Sequence, residues 1–406
     1  MRLAVVSPFV DRRHGTERAL AELLERLASK EHCEIHLYAQ RVDDLVVNQA
    51  GVPRSQESGA IFWHKIPSVP GPHLLGFLGW LFLNSVSRTW GRWFQGLRFD
   101  LVVSPGINCL DADVIIVHAL FHRLQELASE AVRDSAKPGF LRRLHRRAYY
   151  SLLARLERRI YADSAVSLVA VSRRTATLLN DYFHRQDARV IPNGVDTAQF
   201  SPPARLALRA GARLRRKIPE SDFVLLLIGN DWRVKGLETV LRGVGALRES
   251  SILVIAAGDD SPDFFHEAAN ALGISDRCRF EPSREDVLDF YAAADLYVSP
   301  SREDSFALPV AEAMACGVPV ITSTNAGVAD MIHDGSDGFI LRQFDDFQAL
   351  ARLVGQLHAD EVLRGNVGAA AAKTALQWTW DRNAAEAWEL LKDAARKKAL
   401  ASVRKP

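Results

Sequence analysis

Short runs rich in apolar and β-branched residues recur along the chain, with amphipathic stretches between them. In the first half they are residues 3–7 (LAVVS), 34–38 (EIHLY), 100–104 (DLVVS), 113–117 (DVIIV) and 167–172 (SLVAVS). Near-continuous apolar runs of this length predict parallel strands buried on both faces. The first is followed by a glycine-containing turn, His14-Gly15-Thr16, and then by Ala19, Leu23, Leu24 and Leu27 at helical spacing. This is a strand-loop-helix unit, and such units wind right-handed into a doubly wound sheet.

A second series begins beyond Ile191-Pro192-Asn193-Gly194 and a polar, basic stretch reaching Ser221. Its strands are predicted at 223–229, 252–258, 277–280, 296–300 and 318–322, again alternating with helical stretches. The expected architecture is α/β, with two Rossmann-like doubly wound domains facing across a crevice. They are expected at residues 1–190 and 191–380, with a C-terminal helix and basic tail, 381–406, returning to the first. Ligands of such folds bind beyond the carboxyl ends of the strands.

Composition agrees with this division. A chain of 406 residues, 48% of them hydrophobic, is long enough for two cores. The net charge of +2 gives no electrostatic reason to expect nucleic acid. Cys33, Cys109, Cys278 and Cys316 form no Cys-x-x-Cys pair and suit a reducing compartment. The opening MRLAVVSPFVDRRHG lacks the long apolar core of a signal peptide, so a cytoplasmic location is expected. The longest hydrophobic stretch, 74–86, falls short of the roughly 20 residues needed to span a bilayer.

The most informative segment for chemistry runs from Pro300 to Val320, where a strand end leads through a small-residue loop into a helix opening near Pro309. The loop 304–307 is expected to point backbone N–H groups at an anion such as a diphosphate, making Ser305, Phe306, Ala307 and Leu308 candidate donor contacts. Asp304 and Glu312 stand eight residues apart, about two helical turns, so both can face one elongated ligand. Taken alone, a turn aspartate and a solvated helix glutamate would account for them equally well.

The block LPVAEAMACGVPVI, with Asp304 and Glu312, resembles the Glu-x7-Glu signature of glycosyltransferase family 4. The segments VIPNGVDTAQFSP at 190–202 and IGNDWRVKGLETVL at 228–241 also look like segments of that family. Its members are retaining enzymes of the GT-B fold, lipopolysaccharide-core glycosyltransferases among them. The resemblance implies that Glu312 holds the nucleotide ribose and that Asp304, one methylene shorter than the family glutamate, meets the sugar. It implies that Lys235 neutralises the leaving diphosphate. Asn230 stands where the family often has arginine, which leaves Arg233 as the nearest second cation. His118, at the end of the strand 113–117, resembles the family histidine beside the transferred sugar, with His122 a weaker candidate. Gly15 and Thr16 resemble the glycine loop that approaches the donor phosphates.

The implied activity is a metal-independent hexosyltransferase with no cofactor. Its donor would be a nucleotide diphosphate sugar, UDP-sugar favoured, and its acceptor a glycan or lipid-linked glycan of cell-envelope polysaccharide or lipopolysaccharide synthesis. Asp111-Ala-Asp113 is not read as a metal-binding Asp-x-Asp, because it leads into an apolar strand of the first domain. A non-catalytic nucleotide-sugar-binding partner subunit and a GT-B nucleotide-sugar epimerase remain as alternatives.

Residues 141–160 carry seven arginines and one glutamate, with Leu141, Leu144, Ala148, Leu152, Leu156 and Ile160 at helical spacing. A core-packed helix with a solvated basic face and a surface touching anionic lipid or an anionic acceptor fit this pattern equally. The stretch containing Trp80, Trp90 and Trp93 adds to the second reading, which would place the protein peripherally on the inner face of the plasma membrane.

Overall fold

The computed structural model describes residues 1–49, 60–131, 140–284 and 286–403. The chain divides into two compact units, Met1–Pro192 with Asp381–Pro406, and Asn193–Trp380.

In the first unit β1 (Arg2–Val6) and β2 (Phe9–Val10) lead into α1 (Gly15–Lys30). Then come β3 (Glu34–Ala39), β4 (Arg41–Val42), β5 (Asn48–Gln49), β6 (Ile61–Lys65), α2 (His73–Phe94), β7 (Leu101–Ser104) and β8 (Val114–Val117). The unit continues through α3 (Phe121–Ala131), α4 (Phe140–Tyr161), β9 (Ser167–Ala170), α5 (Arg173–Phe183) and β10 (Arg189–Val190). Its main sheet has the order β10-β9-β8-β7-β1-β3-β6-β5 and is parallel throughout, while β2 and β4 form a separate parallel pair.

Both faces of this sheet are covered, which is why its strands read as unbroken apolar runs. Leu3 and Val5 face a core with Leu20, Leu24 and Leu27 of α1, whereas Ala4 and Val6 face one with Trp80, Tyr161 and Phe183. Strand order reverses at β1, so the loop entering α1 lies at the topological switch point. Two predicted strands begin one residue late because their first acids serve their neighbours. Asp100 accepts the Arg2 N–H at 2.7 Å and Asp113 accepts that of Val102 at 2.7 Å.

The second unit holds α6 (Pro202–Arg215), β11 (Phe223–Ile228), α7 (Leu237–Leu247), β12 (Ile252–Ala257), α8 (Asp263–Ala271), β13 (Cys278–Glu281) and α9 (Leu288–Ala293). It continues with β14 (Leu296–Ser299), α10 (Leu308–Ala315), β15 (Val320–Ser323), β16 (Phe339–Leu341), α11 (Phe347–Ala359) and α12 (Glu361–Ala375). Its sheet, also parallel, has the order β13-β12-β11-β14-β15-β16. Here the order reverses between β11 and β14, so the loops following these two strands flank the switch point.

The last helix, α13 (Trp380–Val403), joins the first unit from Asp381 onward. Ala384, Ala387, Leu390 and Leu391 enter the same core as α1, and Asp381 receives Arg26 and Lys30 at 2.7 Å each.

Candidate active site

The site of the second unit is built on two glycines of the β11–α7 loop. Gly229 has φ 147° and Gly236 φ 83°, conformations that glycine adopts without a steric penalty. A Cβ on Gly236 would lie 2.2 Å from the Pro300 carbonyl oxygen, and one on Gly229 would lie 2.9 Å from Lys235 Cε. The first glycine therefore lets the loop press against the end of β14, where the Arg302 N–H donates to the Val234 carbonyl at 2.8 Å. The second leaves room for the lysine stem. Together they deliver the Lys235 ammonium to the Asp304 carboxylate, with which it is ion-paired.

Asp304 is held from both sides. Its N–H donates to the Asn325 carbonyl at 3.1 Å and its carbonyl accepts from Gly327 at 2.9 Å. One carboxylate oxygen takes Lys235, while the other accepts the N–H of Ala307 at 2.8 Å and of Phe306 at 3.3 Å. Two of the amides expected to face an anion are thus bound by this aspartate, because its short side chain closes a local turn. Ala307 caps α10 in the left-handed region, φ 71° and ψ 62°, and is itself buried. Leu308 and Pro309 then open the helix.

Glu312, two turns along α10, is only 3% exposed, which rules out the solvated-helix reading. It accepts the Tyr291 hydroxyl at 2.7 Å, a group that also lies 3.2 Å from the Pro309 carbonyl. Burial, reinforced by the Glu312 charge, pushes the Tyr291 phenol well above its ordinary range, so it remains a donor. Burial likewise raises Tyr297 on β14, and the Asp304 and Glu312 carboxylates add to the rise.

The other candidates of this unit are engaged elsewhere. The Asn230 side-chain oxygen accepts the Asp259 N–H at 2.8 Å and so ties the loop after β11 to the loop after β12. The Arg233 guanidinium lies over the Phe264 ring of α8, 4.3 Å from its centre.

In the first unit, Gly15 and Thr16 form the first turn of α1, and the cap residue His14 makes no side-chain cap bond. The loop before them is set by Asp11, 2% exposed, which accepts the N–H groups of Arg13 at 2.8 Å and His14 at 3.0 Å. Burial works to raise the Asp11 carboxyl, but the His14 and Arg13 hydrogen bonds outweigh it and hold it below the usual range. His118 follows β8 directly, and burial lowers its pKa to about 4, leaving a neutral imidazole at pH 7.

His122 has a different occupation. Its Nδ1 lies 2.6 Å from Glu157, which also accepts the N–H groups of Phe121 at 2.7 Å and His122 at 2.9 Å. Glu157, the single acid of α4, is wholly buried and caps α3. Asp111 is bound through both oxygens by Arg88 at 2.6 and 2.7 Å, and Asp113 receives Lys398 at 2.8 Å. Among the described residues, no group of three or more His, Cys, Asp or Glu is arranged to hold a metal ion.

Residues 13–199 match the family described as Glycosyltransferase Family 4, and residues 212–374 match Glycosyl transferases group 1. Residues 13–199 thus form a glycosyltransferase family 4 domain and residues 212–374 a glycosyltransferase group 1 domain. A D-inositol 3-phosphate glycosyltransferase of Salinispora arenicola is 32% identical over 241 residues, covering 54% of each chain. The chain spans about half the length of the first such relatives it matches. WaaG, a glycosyltransferase involved in lipopolysaccharide biosynthesis, superimposes with a TM-score of 0.74 at 20% identity, covering 96% of this chain and 99% of that one. HepE of Anabaena, solved with UDP-glucose, gives 0.69 at 17% identity, covering 97% and 100%. The two parallel α/β sheets and these likenesses identify the GT-B fold.

Of the residues that the family 4 resemblance singles out, the structure brings Lys235 and Asp304 into contact and buries Glu312 nearby on the same loop-helix segment. Arg233 lies over Phe264, and Asn230 accepts from Asp259. Tyr291 and Asp11 had escaped the sequence reading. Gly229 was legible as a glycine ending a strand six residues before a lysine.

Proposed function

We propose that this chain transfers a hexose-type sugar from a nucleotide diphosphate sugar, UDP-sugar favoured, with retention of anomeric configuration. The acceptor is a glycan or lipid-linked glycan of cell-envelope polysaccharide or lipopolysaccharide synthesis. The observation that carries the reading is a lysine held by a carboxylate at the switch point of the second sheet, directly before the N-terminus of α10. HepE, solved with UDP-glucose, and WaaG, which is involved in lipopolysaccharide biosynthesis, support the donor and acceptor classes.

In this reading the donor diphosphate takes the place of the Asp304 carboxylate at Lys235, and Asp304 is released towards sugar hydroxyls. The ammonium then stabilises charge as the bond from the anomeric carbon to the β-phosphate oxygen breaks, commonly the largest kind of catalytic contribution. The acceptor oxygen bonds to the anomeric carbon, and its proton passes to an oxygen of the departing β-phosphate. Glu312, oriented by Tyr291, accepts hydrogen bonds from the ribose. Neutral His118 hydrogen-bonds the sugar, and the first turn of α1 at Gly15 and Thr16 approaches the phosphates. Arg233 supplies a second cation once it leaves Phe264. No cofactor or metal takes part, and the protein works at the inner face of the plasma membrane.

The test is a panel of radiolabelled UDP-, GDP- and ADP-sugars with glycan and lipid-linked acceptors, the products being separated and their anomeric configuration assigned. Labelled acceptor with retained configuration is expected. Tight donor binding without turnover would replace the reading with a non-catalytic binding subunit, and a rearranged nucleotide sugar with an epimerase.

A further inference from the structure

Helix α2 has its polarity reversed. A helix on a water-soluble unit normally buries its apolar stripe and exposes its polar one. Here the buried line consists of Trp80, Asn84, Arg88 and Gly91. It is fastened by polar contacts: Trp80 Nε1 to the Asn108 carbonyl at 2.9 Å, Asn84 Nδ2 to the Trp80 carbonyl at 2.6 Å, and Arg88 to Asp111. The outward line is Leu75, Leu78, Phe82, Val86, Trp90 and Trp93, with exposures from 43% to 78%. At helical rise it extends about 27 Å, far longer than a scattered surface hydrophobe requires.

The stretch of chain that carries this stripe has charge of one sign. Residues 64–98 contain no Asp or Glu, while Lys65, Arg92 and Arg98 are exposed at its ends. Helix α4 meets α2 where Tyr149 packs against His73 and Phe77. Its single acid, Glu157, is turned inward to cap α3, so Arg155, Arg158 and Arg159 face solvent without a compensating acid on their own helix. The side chains of Arg142, Arg143, Arg146 and Arg147 lie outside the described residues. No described helix is long and apolar enough to cross a membrane.

We infer that the outward stripe of α2 is a docking surface for a bilayer containing anionic lipid, on which the helix lies in the plane of the interface. Its aliphatic and aromatic side chains enter the acyl boundary, Trp90 and Trp93 sit at headgroup level, and the flanking cations meet lipid phosphates. A protein partner would satisfy the apolar stripe, but the absence of acids from residues 64–98, with arginine and lysine exposed there and on α4, matches a negatively charged lipid surface. The inference specifies the location given in the proposed function but does not rest on sugar transfer, and its test needs no turnover.

The test is co-sedimentation of the full chain with vesicles of phosphatidylglycerol and phosphatidylethanolamine, and with phosphatidylcholine alone, at low and high salt. Wild type is expected to bind the anionic vesicles, less so at high salt, with a blue shift of tryptophan fluorescence. The double variant Phe82→Ser, Trp93→Ser changes two outward positions and should keep the wild-type circular dichroism and melting temperature. It should bind at least about tenfold less, the scale of losing two buried aromatic contacts. Undiminished vesicle binding by the folded variant would overturn the assignment to α2. Absence of vesicle binding by wild type, with a concentration-dependent dimer that the double variant dissociates, would overturn the bilayer in favour of a second copy.

Discussion

The Lys235 ammonium is paired with the Asp304 carboxylate across 69 residues of sequence, one group on the loop after β11 and the other on the loop after β14. Both side chains are mostly shielded from solvent, at 19% and 13% exposure. A cation so placed is neutralised until another anion displaces its partner.

Lys235→Ala is therefore expected to lower turnover at least about 100-fold, the scale of removing one preorganised charge-stabilising group. Steady-state kinetics with circular dichroism on the same preparation tests this. A folded variant with near-normal rate contradicts the assignment.

Turnover is expected to continue in excess EDTA, because the proposed charge stabilisation comes from Lys235, Arg233 and helix-terminal N–H groups. Loss of activity that Mn²⁺ restores would replace this account with a metal-assisted one.

Glu312→Ala should weaken binding of the free nucleoside diphosphate, since a ribose contact acts in ground and transition states alike. Tyr291→Phe keeps the ring but removes the hydroxyl that orients Glu312. It should weaken the same binding about fivefold, the equivalent of one hydrogen bond of about 1 kcal/mol. Calorimetric titration of both variants is the measurement, and an unchanged affinity for either breaks the proposed chain from Tyr291 to ribose.

Ala307 occupies a backbone conformation, φ 71°, that is unfavourable for a residue bearing a Cβ. Ala307→Gly is expected to stabilise the protein by up to about 1 kcal/mol, the relief of strain exceeding the extra freedom of the unfolded glycine. Denaturant unfolding reads this out, and a lower midpoint would mean that the methyl group packs better than its backbone costs.

Acid should destabilise the first unit through His64. Its ring stacks on Tyr38 at 4.5 Å and lies 2.8 Å from His36 Nδ1, while His36 Nε2 faces Glu34 at 2.8 Å. Because an ionised carboxylate only accepts, His36 carries its proton on Nε2 and His64 donates to its other nitrogen. Burial, helped by His36, lowers the His64 pKa to about 4, whereas the unfolded chain takes up this proton near about pH 6.5. The folded value is the lower one, so the stability contribution is full above about pH 6.5 and is lost as pH falls towards 4. Melting temperatures between pH 7 and about pH 4 should fall less steeply for His64→Gln than for wild type. Parallel curves would remove His64 from the acid response.

The sequence by itself determined the strands, since an unbroken run such as LAVVS or FVLLLI has no stable place except between two covered faces. It also determined the 304–312 segment, because a strand end, a loop, Pro309 and two acids eight residues apart are all local features. Strands β5, β6 and β16 were not legible, being held by the strands beside them more than by any pattern of their own.

Only the tertiary structure decided what each polar side chain faces. It put Tyr291 under Glu312, gave Glu157 to the start of α3 and not to a solvated face, and sent Arg233 to Phe264. It also turned the apolar side of α2 outward, because Arg88 and Asn84 found their partners at Asp111 and Asn108. Periodicity tells which residues share a face of a helix, but the direction of that face depends on buried partners distant in sequence, which no local pattern records.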